Sequence, residues 1–253
     1  MAAQREQRSA EPESEGEGVD SSRQYLAYVF EQFRVRRGCL GYVVADEKTR
    51  RAAIVDPEVG MVEPILSFVF RHGLQPYYVI DTHTHADHIS GARELKAKTE
   101  ARIVMHEKAP SSAVDLRVED GDQLRLGDEL SLTFLHTPGH AKDLVSILLP
   151  GCILTADALL IGSCGRTDLP NGNATRQYHT LYYVLKSLPD GLLVYPSHDY
   201  KGQTFSTLGK EKESNPKMKF PSEEEFVEYM ERENPRKLTP VYQLAEALKA
   251  NMA

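Results

Sequence analysis

The chain has 253 residues, 41% of them hydrophobic, enough to bury one α/β core without splitting into two domains. Its formal net charge of -7 repels nucleic acid and anionic membrane surfaces, and no apolar run approaches the roughly 20 residues of a spanning helix. With those classes set aside, small-molecule chemistry is the default expectation.

Residues 1–22 carry Glu6, Glu11, Glu13, Glu15, Glu17 and Asp20 against Arg5 and Arg8, with almost nothing apolar to bury. They read as a disordered acidic tail, leaving 23–253 as the domain. The tail has neither the apolar stretch of a secretory signal nor the acid-poor composition of a transit peptide, so the expected location is cytoplasmic. Cys39, Cys152 and Cys164 include no Cys-x-x-Cys pair. That suits a reducing compartment, in which each is a small buried apolar residue.

In chain order, strands are predicted at Tyr25 to Phe33, Cys39 to Ala45 and Ala52 to Asp56. A helix follows over Met61 to His72, where Val62, Ile65, Leu66 and Val69 form one apolar stripe ending at Gly73. Tyr77 to Ile80 returns as a buried strand and completes a βαβ crossover. Further strands are predicted at Arg102 to Met105, Leu124 to Leu126, Leu130 to Leu135, Val145 to Leu149, Ile153 to Ala156 and Leu192 to Tyr195. Helices are predicted over Ala174 to Ser187, Glu223 to Arg232 and Val241 to Ala250. The middle strands form a meander between flanks that alternate strand and helix, which predicts two sheets covered by helices.

Directly after the Tyr77 to Ile80 strand stands Thr82-His83-Thr84-His85-Ala86-Asp87-His88. Histidine and aspartate bind first-row divalent metals through nitrogen and oxygen, and a strand end holds them on a rigid rim. Three histidines and a carboxylate are costly to bury unless a metal or a hydrogen-bond network satisfies them. The same placement recurs at His140 after Thr137-Pro138-Gly139, at Asp157 after Thr155-Ala156, and at His198 within Pro196-Ser197-His198-Asp199. Each lies where a strand ends, the usual place for sites in open α/β sheets.

This His-x-His-x-Asp-His run, followed by a histidine, an aspartate and a last histidine, resembles the metallo-β-lactamase superfamily from about Tyr25 to Met218. The resemblance implies an αββα four-layer sandwich with the metal site at one edge. Within the superfamily, Cys164-Gly165-Arg166 followed by Thr167-Asp168, and His198-Asp199-Tyr200-Lys201-Gly202 followed by Ser206-Thr207 and Asn215-Pro216, resemble the persulfide dioxygenases. The related glyoxalase II hydrolases carry aromatic residues with Glu-Gly and a His-Glu-Tyr at these points. Ala156 departs from the pattern, because the family usually has glycine there; if the backbone needs positive φ, alanine is strained.

The dioxygenase resemblance implies one Fe(II) per chain held by His83, His140 and Asp157, a ligand set that suits a non-haem oxygenase. His85, Asp87, His88 and His198 then orient ligands and water by hydrogen bonds. The implied reaction converts glutathione persulfide, O2 and water to sulfite and glutathione. Arg166 and Tyr200 are candidates for the glutathione portion, a guanidinium being able to clamp a carboxylate. An ion pair with Asp168 is the structural alternative for Arg166. Cys164 lines the site without a catalytic part. Implied partners are a second copy in a homodimer and a separate sulfurtransferase that supplies persulfide, since no sulfurtransferase-like domain is appended. Two readings stand beside this one: a dinuclear thioester hydrolase of the glyoxalase II type, which needs Asp87, His88 and His198 as ligands, and a binding module that keeps the cluster for stability.

His72, His106, His136 and His179 are expected to be structural. Asn173 opens a helix, and the mixed-charge run Lys210 to Lys219 is expected to be a solvated surface.

Overall fold

The computed structural model describes residues 28–35, 38–232 and 241–253, with side chains of the last segment described from 246. The expected acidic tail and the first residues of the Tyr25 to Phe33 strand lie outside the described residues.

The first sheet is built from β1 (Val29–Arg34), β2 (Leu40–Ala45), β3 (Arg51–Val55), β4 (Gln75–Ile80), β5 (Arg102–His106) and β6 (Leu116–Val118), side by side in that order. β1 to β3 pair antiparallel, and β3 to β6 pair parallel. The parallel step from β3 to β4 is made by α1 (Val62–Arg71), whose Val62, Ile65, Phe68 and Val69 are buried. The predicted stripe is therefore the packed face, with Phe68 added and Leu66 at its margin. Gly73 ends the turn at φ +58°, a conformation that glycine adopts without strain. A second helix, α2 (Ala92–Thr99), follows the motif loop and packs on the same face.

The second sheet contains β7 (Gln123–Arg125), β8 (Ser131–His136), β9 (Val145–Leu149), β10 (Cys152–Ala156), β11 (Leu193–Pro196) and β12 (Ser206–Thr207). The predicted meander is β7 to β10, paired antiparallel, and β10 to β11 is parallel. The connection between β10 and β11 holds α3 (Ala174–His179), opened by the Asn173 side chain accepting from Arg176 N. The predicted helix over Ala174 to Ser187 is present but changes pitch: a π turn covers Thr180–Val184 and a 3-10 turn Leu185–Ser187. Beyond β12 come α4 (Leu208–Ser214), α5 (Glu223–Arg232) and α6 (Val241–Met252).

Among the described residues the core forms three layers. One lies between the sheets and joins Phe30, Tyr42 and Val104 to Phe134, Ile147 and Tyr195. A second lies under α1 and α2, and a third under α3 and α5, where Leu181, Leu185 and Phe226 pack on Ile153 and Val194. Helix, sheet, sheet, helix is the expected αββα sandwich, because each sheet has two apolar faces to cover. No helix among the described residues is long and apolar enough to cross a membrane.

One expectation fails here. The Lys210 to Lys219 run is not simply a solvated surface, because α4 buries Glu211, Asn215 is fully buried and Met218 joins the third layer. Glu211 accepts from Gly162 N at 2.8 Å, Ser206 Oγ at 2.5 Å and Asn215 Nδ2 at 2.9 Å. A buried carboxylate is tolerable when its oxygens are satisfied in this way.

Candidate metal centre

Five strands of the two sheets end at one edge of the sandwich, and each delivers a polar side chain there. β3 ends at Asp56, β4 at the 81–88 loop, β8 at the turn leading to His140, β10 at Asp157, and β11 at Ser197 and His198. The edge is closed across the sheets by Val145 N donating to Thr82 O at 2.9 Å. His83, His140 and Asp157, all buried, each offer a ligand atom within 4.8 Å of the others.

The protonation of the two imidazoles follows from their neighbours. Thr82 Oγ1 donates to Asp56 Oδ2 at 2.7 Å, so toward His83 Nδ1, 3.0 Å away, it acts as acceptor. His83 therefore keeps its proton on Nδ1 and turns a lone pair inward on Nε2, which is buried and has no partner. Burial, with His85 and His140 nearby, holds His83 well below the ordinary histidine range, so the neutral ligand form is favoured. His140 Nδ1 donates to Arg166 O at 2.8 Å, which leaves its Nε2 facing Asp157 Oδ2 at 3.5 Å. Burial alone would raise the Asp157 carboxyl, but the adjacent His198 outweighs it and keeps Asp157 ionised. Two imidazoles and one carboxylate, converging with a buried nitrogen of His83 unsatisfied, fit a divalent metal ion.

The remaining motif residues gather beside this triad. His198 donates from Nδ1 to Asp157 Oδ1 at 2.7 Å and from Nε2 to Asp87 Oδ2 at 2.9 Å, so both nitrogens are engaged by carboxylates. His88 Nδ1 lies 3.1 Å from the same Asp87 oxygen, while its Nε2 is buried without a partner. His85 Nε2 is 3.2 Å from Asp56 Oδ1, and its Nδ1 is likewise unpartnered. Cys39 also joins this group: its Sγ is 3.6 Å from Asp87 Oδ2, and Cys39, Asp87, His88 and His198 form a second set of atoms within 4.8 Å. Burial would raise the Cys39 thiol, yet His198 and His88 bring it below the usual value. The expectation that Cys39 is only a small apolar filler is thereby corrected.

Asp56 and Asp143 are organising residues that sequence reasoning left out. Asp56 accepts from Thr82 N, Thr82 Oγ1, Ser197 Oγ and His85, and Asp143 accepts from Thr84 N at 2.9 Å and Thr84 Oγ1 at 2.6 Å. The two carboxylates thus pin the threonines that alternate with the motif histidines. Asp56 obeys the same rule that singled out Asp157, a carboxylate ending a buried strand. Asp143 has no comparable signal in its own stretch.

A cavity of about 720 Å³ opens onto His140 and Asp157 of the triad and is lined by Leu160, Ile161, Leu169, Arg166, Tyr200 and Lys201 among others. Arg166 is held in a two-point ion pair, Nε and Nη2 each 2.6 Å from Asp168, which leaves Nη1 outside that pair. Tyr200 is 75% exposed and stacks on His198 with ring centroids 5.9 Å apart. Cys164 lines the cavity, but burial pushes its thiol up to about 12, which suits a passive wall.

Comparison with known proteins agrees with this geometry. The family model described as the metallo-beta-lactamase superfamily matches residues 35–221. The human protein named persulfide dioxygenase ETHE1, mitochondrial, is 35% identical over 213 residues, covering 83% of this chain and 82% of its own. A hydroxyacylglutathione hydrolase of Mesorhizobium japonicum is 37% identical over 180 residues, covering 69% and 68%. Among solved structures, ETHE1 from Myxococcus xanthus superposes with a TM-score of 0.84 at 39% identity, covering 89% of this chain and 98% of that one.

Proposed function

The chain belongs to the metallo-beta-lactamase superfamily, and from that premise we propose that it is a persulfide dioxygenase with one Fe(II), converting glutathione persulfide, O2 and water to glutathione and sulfite. The observation that carries the reading is the division of labour at the sandwich edge. His83, His140 and Asp157 turn ligand atoms to a common point, whereas His198 spends both ring nitrogens on Asp157 and Asp87. Similarity to ETHE1 proteins over more than four-fifths of the chain supports the same choice.

An iron(II) ion held by His83, His140 and Asp157 would supply redox activation of O2 beside a sulfur donor. Around it, His198 fixes the Asp157 carboxylate, and the Arg166 carbonyl fixes the His140 ring by holding its Nδ1 proton. Leu160, Ile161 and Leu169 give the cavity an apolar wall that limits water. Nη1 of Arg166 and the Tyr200 hydroxyl meet the carboxylates and amides of the glutathione portion. A second copy of the chain and a separate sulfurtransferase are the proposed partners, and a reducing compartment such as the cytoplasm is the proposed setting.

Metal analysis of anaerobically purified protein, paired with O2 uptake on glutathione persulfide, tests the assignment. About one iron per chain with O2-dependent sulfite release is expected. The hydrolase reading has its own support in the Cys39, Asp87, His88 and His198 group and in the unpartnered His88 Nε2. Two tightly held zinc ions with rapid S-lactoylglutathione hydrolysis would establish that reading instead.

A further inference from the structure

The loop that carries His85, Asp87 and His88 is gripped from a helix far away in sequence. Asn251, in the last turn of α6, donates from Nδ2 to His85 O and to His88 O, both at 2.9 Å, and accepts from Ser90 N at 3.0 Å through Oδ1. The two carbonyls flank Asp87, and the accepted amide closes the turn. One side chain thus satisfies three backbone groups that no strand or helix of the loop provides for, at a place where unpaired polar groups are costly. An amide is the side chain suited to this task, since it offers two N–H donors and an acceptor in one plane.

We propose that Asn251 is a positioning residue for the metal centre, setting the backbone turn that presents His85, Asp87 and His88 and, through it, the His198 to Asp87 contact. This deepens the reading above and rests on the edge being a metal centre. The neighbouring contacts allow its role to be separated from mere docking of α6. Ser112 Oγ donates to Ala253 O at 2.7 Å, so the residue that directly follows α6 is also tied down, at a point that does not touch the loop. Ser90 is held independently by Ser90 Oγ donating to Asp81 Oδ1 at 2.8 Å. Loss of Asn251 therefore loosens the turn between His85 and Ser90 without releasing either end.

The full chain carrying Asn251→Asp, Asn251→Gln or Ser112→Ala is compared with the parent, loaded with Co(II) or Fe(II). Asn251→Asp keeps the acceptor for Ser90 N but sets carboxylate oxygen against two carbonyls. It should release metal to a chelator about 10- to 100-fold faster, as when groups that orient ligands are lost, and change the Co(II) visible spectrum. Hydrogen exchange at the Ser90 amide should rise less in Asn251→Asp than in Asn251→Gln, whose longer arm misplaces the acceptor. Ser112→Ala should leave metal release and spectrum at parental values. Metal release and spectrum unchanged in Asn251→Asp, or equal changes in Ser112→Ala and Asn251→Asp, would overturn the proposal. Failure of the dioxygenase reading shows separately, as Co(II) or Fe(II) binding without persulfide-dependent O2 uptake.

Discussion

Asp157 stands on a neighbour in an uncommon conformation. Ala156 has φ +48°, fully buried, where the β10 to β11 register shifts. The strain anticipated from alanine in place of glycine is therefore present, and a side chain in this region costs about 1–2 kcal/mol. Ala156→Gly removes that strain but also a buried methyl and adds freedom to the unfolded chain, so stability should stay within about 0.5 kcal/mol of the parent by urea titration. Ala156→Val adds a branched side chain at positive φ in a packed layer and should cost about 2 kcal/mol or more. At the site itself, Asp157→Ala should abolish metal binding, because two neutral imidazoles remain. His198→Ala should retain metal and lose part of the activity. Metal analysis of both variants reads this out, and the reverse pattern would reassign the ligands. Arg166→Lys should lower kcat/KM on glutathione persulfide by about 1–3 kcal/mol, mostly through KM, with metal content unchanged. An equal loss on a small uncharged persulfide would assign Arg166 wholly to its pair with Asp168.

Between elements, the ends of β5 and β8 are joined by His106 stacked on His136, with centroids 4.2 Å apart and planes 13° from parallel. Burial, with His136 adding to it, holds His106 at about 4. A histidine depressed in the fold and near 6.5 when unfolded stabilises fully above 6.5, and that contribution is lost as pH falls through 4. After discounting for solvent screening, the loss is about 1–2 kcal/mol. Urea midpoints of the metal-free protein across this window should fall less steeply in His106→Gln than in the parent. The sequence reading of His106 as structural agrees with this. Most strands were legible because alternation and turn residues mark them, and β9 and α5 match their predicted bounds. The short β6 and β12 carry too few residues for a period to show, and α2 has a weakly apolar face with only Ala92 and Leu95 buried. The candidate ligands that gather at strand ends were legible for the same reason, since a carboxylate or imidazole closing an apolar run stands out. Cys39, Asp143, Glu211 and Asn251 were not, because what makes each of them matter is a partner at least 48 residues away in the chain or a fold that turns a charged run inward.

Across the whole molecule, the centre is shared by the two halves of the sandwich. His83 comes from the first sheet, and His140 and Asp157 from the second. Metal bound to the folded state alone adds stability by mass action, about 2.7 kcal/mol at a hundredfold excess over the dissociation constant. Removing it with a chelator should therefore lower Tm by about 5–10 °C for a domain of this size. A smaller drop in Asp157→Ala than in the parent would confirm that the same ion is responsible. The shared centre also sets an order of events during synthesis. A nascent chain that has emerged only through β5 presents His83, His85 and His88 but neither His140 nor Asp157, so the first half cannot assemble the ligand triad. Capture of an ion by these three residues therefore waits until the second sheet has been laid against the first, and a half-made chain cannot hold one through them.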